Sequence, residues 1–212
     1  MNFSGWPLIL AGLLLACLAS FGWAMRNFFS RPAGNTRGMK LISTCGTAFA
    51  VLHLSGILWT PAIGSYRAPA AATLYVCALG LFYWALRTNA AKPLSAAFSP
   101  DVPVHLMEHG PYRLVRHPFY SSYLLTWTAG TIATAWFWLL PTVAVMVVVY
   151  VRAARMEEEK FSQSPLAATY QRYRSRTGLF FPNPVKMLMA RRTGDEIEIK
   201  EAHATGLAQH RP

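Results

Sequence analysis

Residues 119–151 carry no charged side chain. The stretch is too long for one membrane crossing, and Trp136, Phe137, Trp138 and Pro141 interrupt it near its middle. At about 1.5 Å of rise per residue, roughly 20 residues cross some 30 Å of hydrocarbon. The stretch therefore predicts a hairpin of two membrane helices, near 119–136 and 138–156. A charged cluster flanks each end: HGPYRLVRHPFYSSY, residues 109–123, and RAARMEEEK, residues 152–160. His117 lies about twenty residues before the turn and Glu158 about twenty after it, so a helical hairpin returns both to one depth. The spacing predicts two halves of one active site, a histidine-bearing cationic loop facing an acidic helix end.

The rest of the chain extends this reading. Apolar runs near 6–28, 41–59 and 68–86 precede the hairpin, giving an all-α polytopic membrane protein of about five transmembrane helices. Of the residues, 53% are hydrophobic and 14% charged, too apolar for an ordinary soluble domain. The net charge of +11 is segregated into loops, so no basic face sits on a soluble core and nucleic acid is a poor partner. Cys17, Cys45 and Cys77 fall in separate apolar runs and read as small packing residues, not as disulfides or metal ligands. The first run lacks a charged flank and a clear cleavage site, so it reads as a span and not as a removed signal peptide.

Lys and Arg are distributed as four, one, four, none and eleven over the successive loops and the C-terminal segment. The positive-inside rule then places the N-terminus outside and the C-terminus in the cytoplasm, with both clusters on the cytoplasmic face. Residues 87–118 contain Pro93, Pro100, Pro103 and Pro111 and cannot form one continuous helix. Residues 1–182 read as the membrane domain. Residues 183–212 read as a polar tail, expected to be mobile.

The chain resembles the isoprenylcysteine carboxyl methyltransferases, membrane enzymes related to the phospholipid methyltransferases. The resemblance rests on GPYRLVRHPFY at 110–120, on Arg155, Glu158 and Glu159, on Tyr170 and Tyr173, and on Phe181-Pro182. It covers roughly residues 70–182. The family's Phe-Gly before Tyr-x-x-Tyr is replaced here by SPLAATY, which leaves the register of Glu157, Glu158 and Glu159 open by one residue. The resemblance implies transfer of a methyl group from S-adenosylmethionine to a lipophilic acceptor. The cofactor would enter from the cytoplasm and the acceptor from the bilayer.

The residue types suit that chemistry. Arg113, Arg116 and His117 can hold the cofactor's carboxylate, and Pro118 opens a helix whose N-terminus favours anions. Tyr112, Tyr120 and Tyr123 offer aromatic faces to a sulfonium cation. His109 and Gly110 complete the loop, and Tyr170 and Tyr173 are cofactor contacts or headgroup-level anchors. Arg155 could orient a carboxylate acceptor. Arg155 and Glu159 stand one turn apart, with Glu158 bordering that face and Glu157 expected to point away. Glu158 or Glu159 would hold Arg155 or take a proton. His53, inside the second run, is a functional candidate by its position, with packing as the competing reading.

Other classes compete. An Arg-His-Pro-x-Tyr element also occurs in NADPH-dependent membrane reductases of steroid-like lipids, and a phospholipid N-methyltransferase shares the methyl-transfer chemistry. A haem-binding or transport protein using His53 is the non-enzymatic alternative. The sequence leaves open the acceptor and the oligomeric state.

Overall fold

The structure, a computed structural model, describes residues 5–30, 37–60, 63–89, 94–95, 105–186 and 188–189. Its helices are α1 (Trp6–Asn27), α2 (Arg37–Trp59), α3 (Arg67–Thr88), α4 (Pro118–Thr134), α5 (Leu140–Ser162) and α6 (Ala167–Arg176). Short 3₁₀ turns at Gly110–Arg113 and Phe137–Leu139 lead into α4 and α5. One two-residue parallel pair, Phe29–Ser30 with Leu94–Ser95, ties the end of α1 to the connector after α3. The architecture is the all-α membrane bundle expected from the apolar runs. Most of the proposed tail, from residue 190 onward, lies outside the described residues, as do 90–93 and 96–104 of the connector.

Among the described residues, four helical stretches are long and apolar enough to cross a membrane: Trp6–Asn27, Arg37–Trp59, Arg67–Thr88 and Phe137–Ser162. The fourth predicted span, expected near 119–136, is α4. Pro118 starts α4 and Ala135, in the left-handed region at φ 55°, ends it after 17 residues. Its length of about 26 Å is at the lower edge of what a bilayer requires.

The short α4 is the centre of the bundle and packs against α1, α2, α3 and α5. Most of its residues are buried, on all sides of the helix. Small side chains permit this: Ser121, Ser122, Ala129, Gly130 and Ala133 let neighbouring backbones approach closely. The helix α3 supplies a matching stripe of Ala71, Tyr75, Ala78, Phe82 and Ala85, spaced at one and two turns. In α5 the buried positions are Thr142, Met146, Val149, Tyr150, Ala153, Ala154 and Glu158. That stripe runs from the apolar turn down to the acidic cluster without changing phase, which decides which acids face inward. At the turn end Phe137 and Trp138 are exposed, as an aromatic belt requires.

Candidate active site

The loop before α4 is held by three neighbours. Gly110 has φ +59°, and a Cβ there would lie 2.4 Å from Thr88 Oγ1, so only glycine seats the loop against the end of α3. Asn89 Nδ2 donates to the Tyr112 hydroxyl at 2.9 Å, and the Tyr173 hydroxyl donates to the Tyr112 carbonyl at 2.8 Å. Val115 pairs with Gly178 in a single parallel bridge. There Arg116 N–H donates to the Gly178 carbonyl at 2.9 Å and His117 N–H to the Leu179 carbonyl at 3.2 Å. The segment after α6 thus pins the backbone of Arg116 and His117.

Their side chains meet the end of α5. Arg116 Nε donates to Glu158 Oε1 at 2.7 Å, and Arg116 Nη1 donates to the Thr177 carbonyl at 2.6 Å. Both side chains of this ion pair are about nine-tenths buried, at 7% and 10% exposure. His117 lies between two carboxylates, with Nδ1 3.4 Å from Glu157 Oε2 and Nε2 3.5 Å from Glu158 Oε1. The second distance is an ion-pair distance but not a hydrogen bond, and His117 Nε2 is a buried polar atom without a hydrogen-bond partner among the described residues. The Tyr120 hydroxyl donates to Glu157 Oε1 at 2.5 Å. The Tyr120 ring stacks on Tyr150 at 5.2 Å and on His117 at 5.6 Å.

The electrostatics follow from this packing. Burial alone pushes the His117 imidazole down, but Glu157 and Glu158 outweigh it and its pKa is raised above 6.5. Burial raises the Tyr112 phenol despite the opposing Asn89 bond. Tyr170 and Tyr173 are raised by burial, Tyr170 also by the Glu158 carboxylate. These phenols stay neutral at neutral pH.

Most of the predicted site residues converge here. Gly110, Tyr112, Arg116, His117, Pro118, Tyr120 and Glu158 share this end of the bundle. Tyr170 stacks on Phe161 at 4.6 Å, and both Tyr170 and Tyr173 are buried, which is not the position of a headgroup anchor. His109 and Arg113 are exposed on the loop.

The acidic cluster differs from the expectation in one respect. Arg155 and Glu159 lie on the exposed face of α5, where Glu159 Oε1 accepts from Gln163 Nε2 at 2.9 Å. Glu157, expected to point away, turns inward to Tyr120 and His117. The reason is helix phase. Positions 153, 154, 157 and 158 continue one stripe, and 155 and 159 fall on the other side. Extending the apolar stripe of α5 into the charged segment would have identified Glu157. Arg174, whose Nε lies 3.7 Å from Glu158 Oε2, carried no comparable signal.

Among the described residues no group of three or more His, Cys, Asp or Glu side chains could hold a metal ion. Fold and site together define a polytopic membrane protein with an ionised cluster buried at one end of its bundle. The sequence model of the phospholipid methyltransferase family matches residues 66–166, so this segment is similar to that family of membrane methyltransferases. The matched segment contains the loop, α4 and the acidic end of α5. No curated protein matches the chain.

Proposed function

We propose that the protein transfers a methyl group from S-adenosylmethionine to a lipophilic acceptor at the charged end of the bundle. The observation that carries this reading is the meeting of the loop and the α5 acids, with Arg116 Nε 2.7 Å from Glu158 Oε1, inside the matched family segment.

The donor set fits the cofactor. His117 Nε2 is a buried donor without a hydrogen-bond partner, and Arg113 is a solvent-facing cation four residues before it. These two would hold the cofactor's carboxylate, with Arg116 positioning His117 through Glu158. The neutral rings of Tyr112, Tyr120 and Tyr123 would face the sulfonium, where aromatic faces favour a cation. When bound, the cofactor supplies an electrophilic methyl group. The chain's task is then orientation and charge placement, the main sources of rate in a displacement of this kind.

Glu157 is the acid placed to receive a proton from an acceptor. It is more exposed than Glu158, at 31% against 10%, and is held by Tyr120 on one oxygen and His117 on the other. A carboxylate acceptor, as in the isoprenylcysteine reading, needs a cation facing the reaction centre. Arg155, the residue expected to supply it, is on the outer face, and Arg116 is engaged by Glu158. This favours, as a second reading, an acceptor that arrives as an amine and must lose a proton, such as a phospholipid headgroup. The charged end would face the cytoplasm, where the cofactor is available.

Incubation with isotopically labelled S-adenosylmethionine and total membrane lipid tests both readings. Label in an amine headgroup supports the second, and label in a base-labile ester supports a carboxylate acceptor. No lipid label from the wild type, with NADPH binding in its place, would reject methyl transfer.

A further inference from the structure

A second polar cluster lies near the opposite end of the bundle. His53 and Tyr75 are both fully buried, at 0% exposure. His53 Nε2 is 2.9 Å from Thr142 Oγ1, and that hydroxyl donates its proton to the Leu139 carbonyl at 2.6 Å. Thr142 therefore has only lone pairs to offer His53, so Nε2 carries the ring proton and Nδ1 is a bare acceptor. Neither His53 Nδ1 nor the Tyr75 hydroxyl has a hydrogen-bond partner among the described residues. Unsatisfied polar atoms are costly within a bilayer.

The two atoms converge on one point. A Cβ on Gly130 would lie 2.2 Å from His53 Nδ1 and 3.2 Å from the Tyr75 hydroxyl. They are thus close neighbours over a bare Cα, where any larger residue would intrude. What they lack is complementary: Nδ1 needs a donor, and the phenol can donate as well as accept. Gly130 is thirteen residues beyond His117 on the same helix, about 20 Å along its axis, so this cluster is separate from the charged end.

We propose that His53 Nδ1 and the Tyr75 hydroxyl bind one hydroxyl-bearing ligand over Gly130, either a water molecule or the hydroxyl of a bilayer lipid. The ligand donates to Nδ1 and accepts from Tyr75, which completes both inventories with a single O–H group. Water is the smallest such ligand and needs only two to four polar partners. A lipid alcohol satisfies the same pair if its chain lies between the helices.

The test uses full-length protein with ¹⁵N-labelled histidine, reconstituted into phosphatidylcholine bilayers that contain no hydroxyl-bearing lipid. Solid-state NMR reads the contact between His53 Nδ1 and an exchangeable O–H proton, with a His53→Asn sample to assign the resonance. A contact in these bilayers that transfers from bulk water identifies water. A contact that appears only after diacylglycerol is added identifies a lipid hydroxyl. Either contact should be lost in Gly130→Ala. Should that variant fail to fold, Tyr75→Phe serves, with the contact weakened and the ring retained. A bare Nδ1 in both bilayers, or a proton shared directly between Nδ1 and Tyr75, would overturn the proposal. None of these readouts depends on methyl transfer.

Discussion

Glu157 and Glu158 are adjacent in sequence yet hold different partners: Glu158 takes Arg116, and Glu157 takes the Tyr120 hydroxyl. His117 bridges the two carboxylates. The acids are therefore one unit with two tasks, and substitution should separate them.

Glu158→Gln leaves Arg116 buried without its counter-charge. Breaking a buried pair from one side costs on the order of 3–5 kcal/mol. We expect a clear drop in thermal stability together with loss of turnover. Glu157→Gln should largely keep the fold, lower the rate constant by tenfold or more, roughly 1.4 kcal/mol in the barrier, and leave cofactor affinity unchanged. Glu159→Gln and Arg155→Ala, on the exposed face, should stay within about 0.5 kcal/mol of wild type. Turnover and melting curves on the four variants check this, and a sensitive Glu159 with an insensitive Glu157 would reverse the assignment.

The His117 contribution should depend on pH in one direction. Its folded pKa is raised above 6.5, so its stabilisation is fully present below that value and is lost as pH rises through the folded value. The gap in melting temperature between wild type and His117→Gln should be widest in mildly acidic buffer and should narrow with increasing alkalinity. A gap that widens with pH would mean that His117 is neutral in the folded protein.

Gly178 tests the backbone pin. A Cβ there would lie 1.7 Å from the Phe181 carbonyl oxygen, so alanine must open the turn. Strain of this kind costs about 1–3 kcal/mol. Gly178→Ala should also weaken binding of S-adenosylmethionine in calorimetry, because Arg116 and His117 lose their backbone anchors. Unchanged affinity would show that the loop keeps its shape without the pin.

The distribution of Lys and Arg predicts an external N-terminus and a cytoplasmic C-terminus. A reporter fused after Pro212 should be active only in the cytoplasm. Activity on the other side would place the charged cluster away from the cofactor supply.

The helical hairpin was legible because a charge-free stretch of that length has few alternatives in a membrane protein. The match between loop and acids followed from the same spacing. The inward-facing acid was misjudged because a local pair, Arg155 with Glu159, was weighed without the phase of the helix. Such a pair stabilises a helix by only about 0.2–0.5 kcal/mol, and burial of the α5 stripe overrides it. The length of α4 was legible as well: the charge-free stretch predicted a span near 119–136, and the left-handed backbone of Ala135 ends the helix at Thr134. The pin at Gly178 and Leu179 consists of main-chain bonds, which leave no side-chain pattern to read.

Arg116 and Thr177, joined by a 2.6 Å hydrogen bond, are separated by 61 positions in the chain. A ribosome adding about 5–20 residues per second needs several seconds to pass from one to the other. For the first 42 of those positions the arginine lacks Glu158, and for all of them it lacks the carbonyl that will cover it. The cluster around Arg116 can therefore close only after the hairpin is inserted and α6 has emerged. A nascent chain arrested before Gly178 would hold α1 to α6 and still lack the main-chain pin on Arg116 and His117.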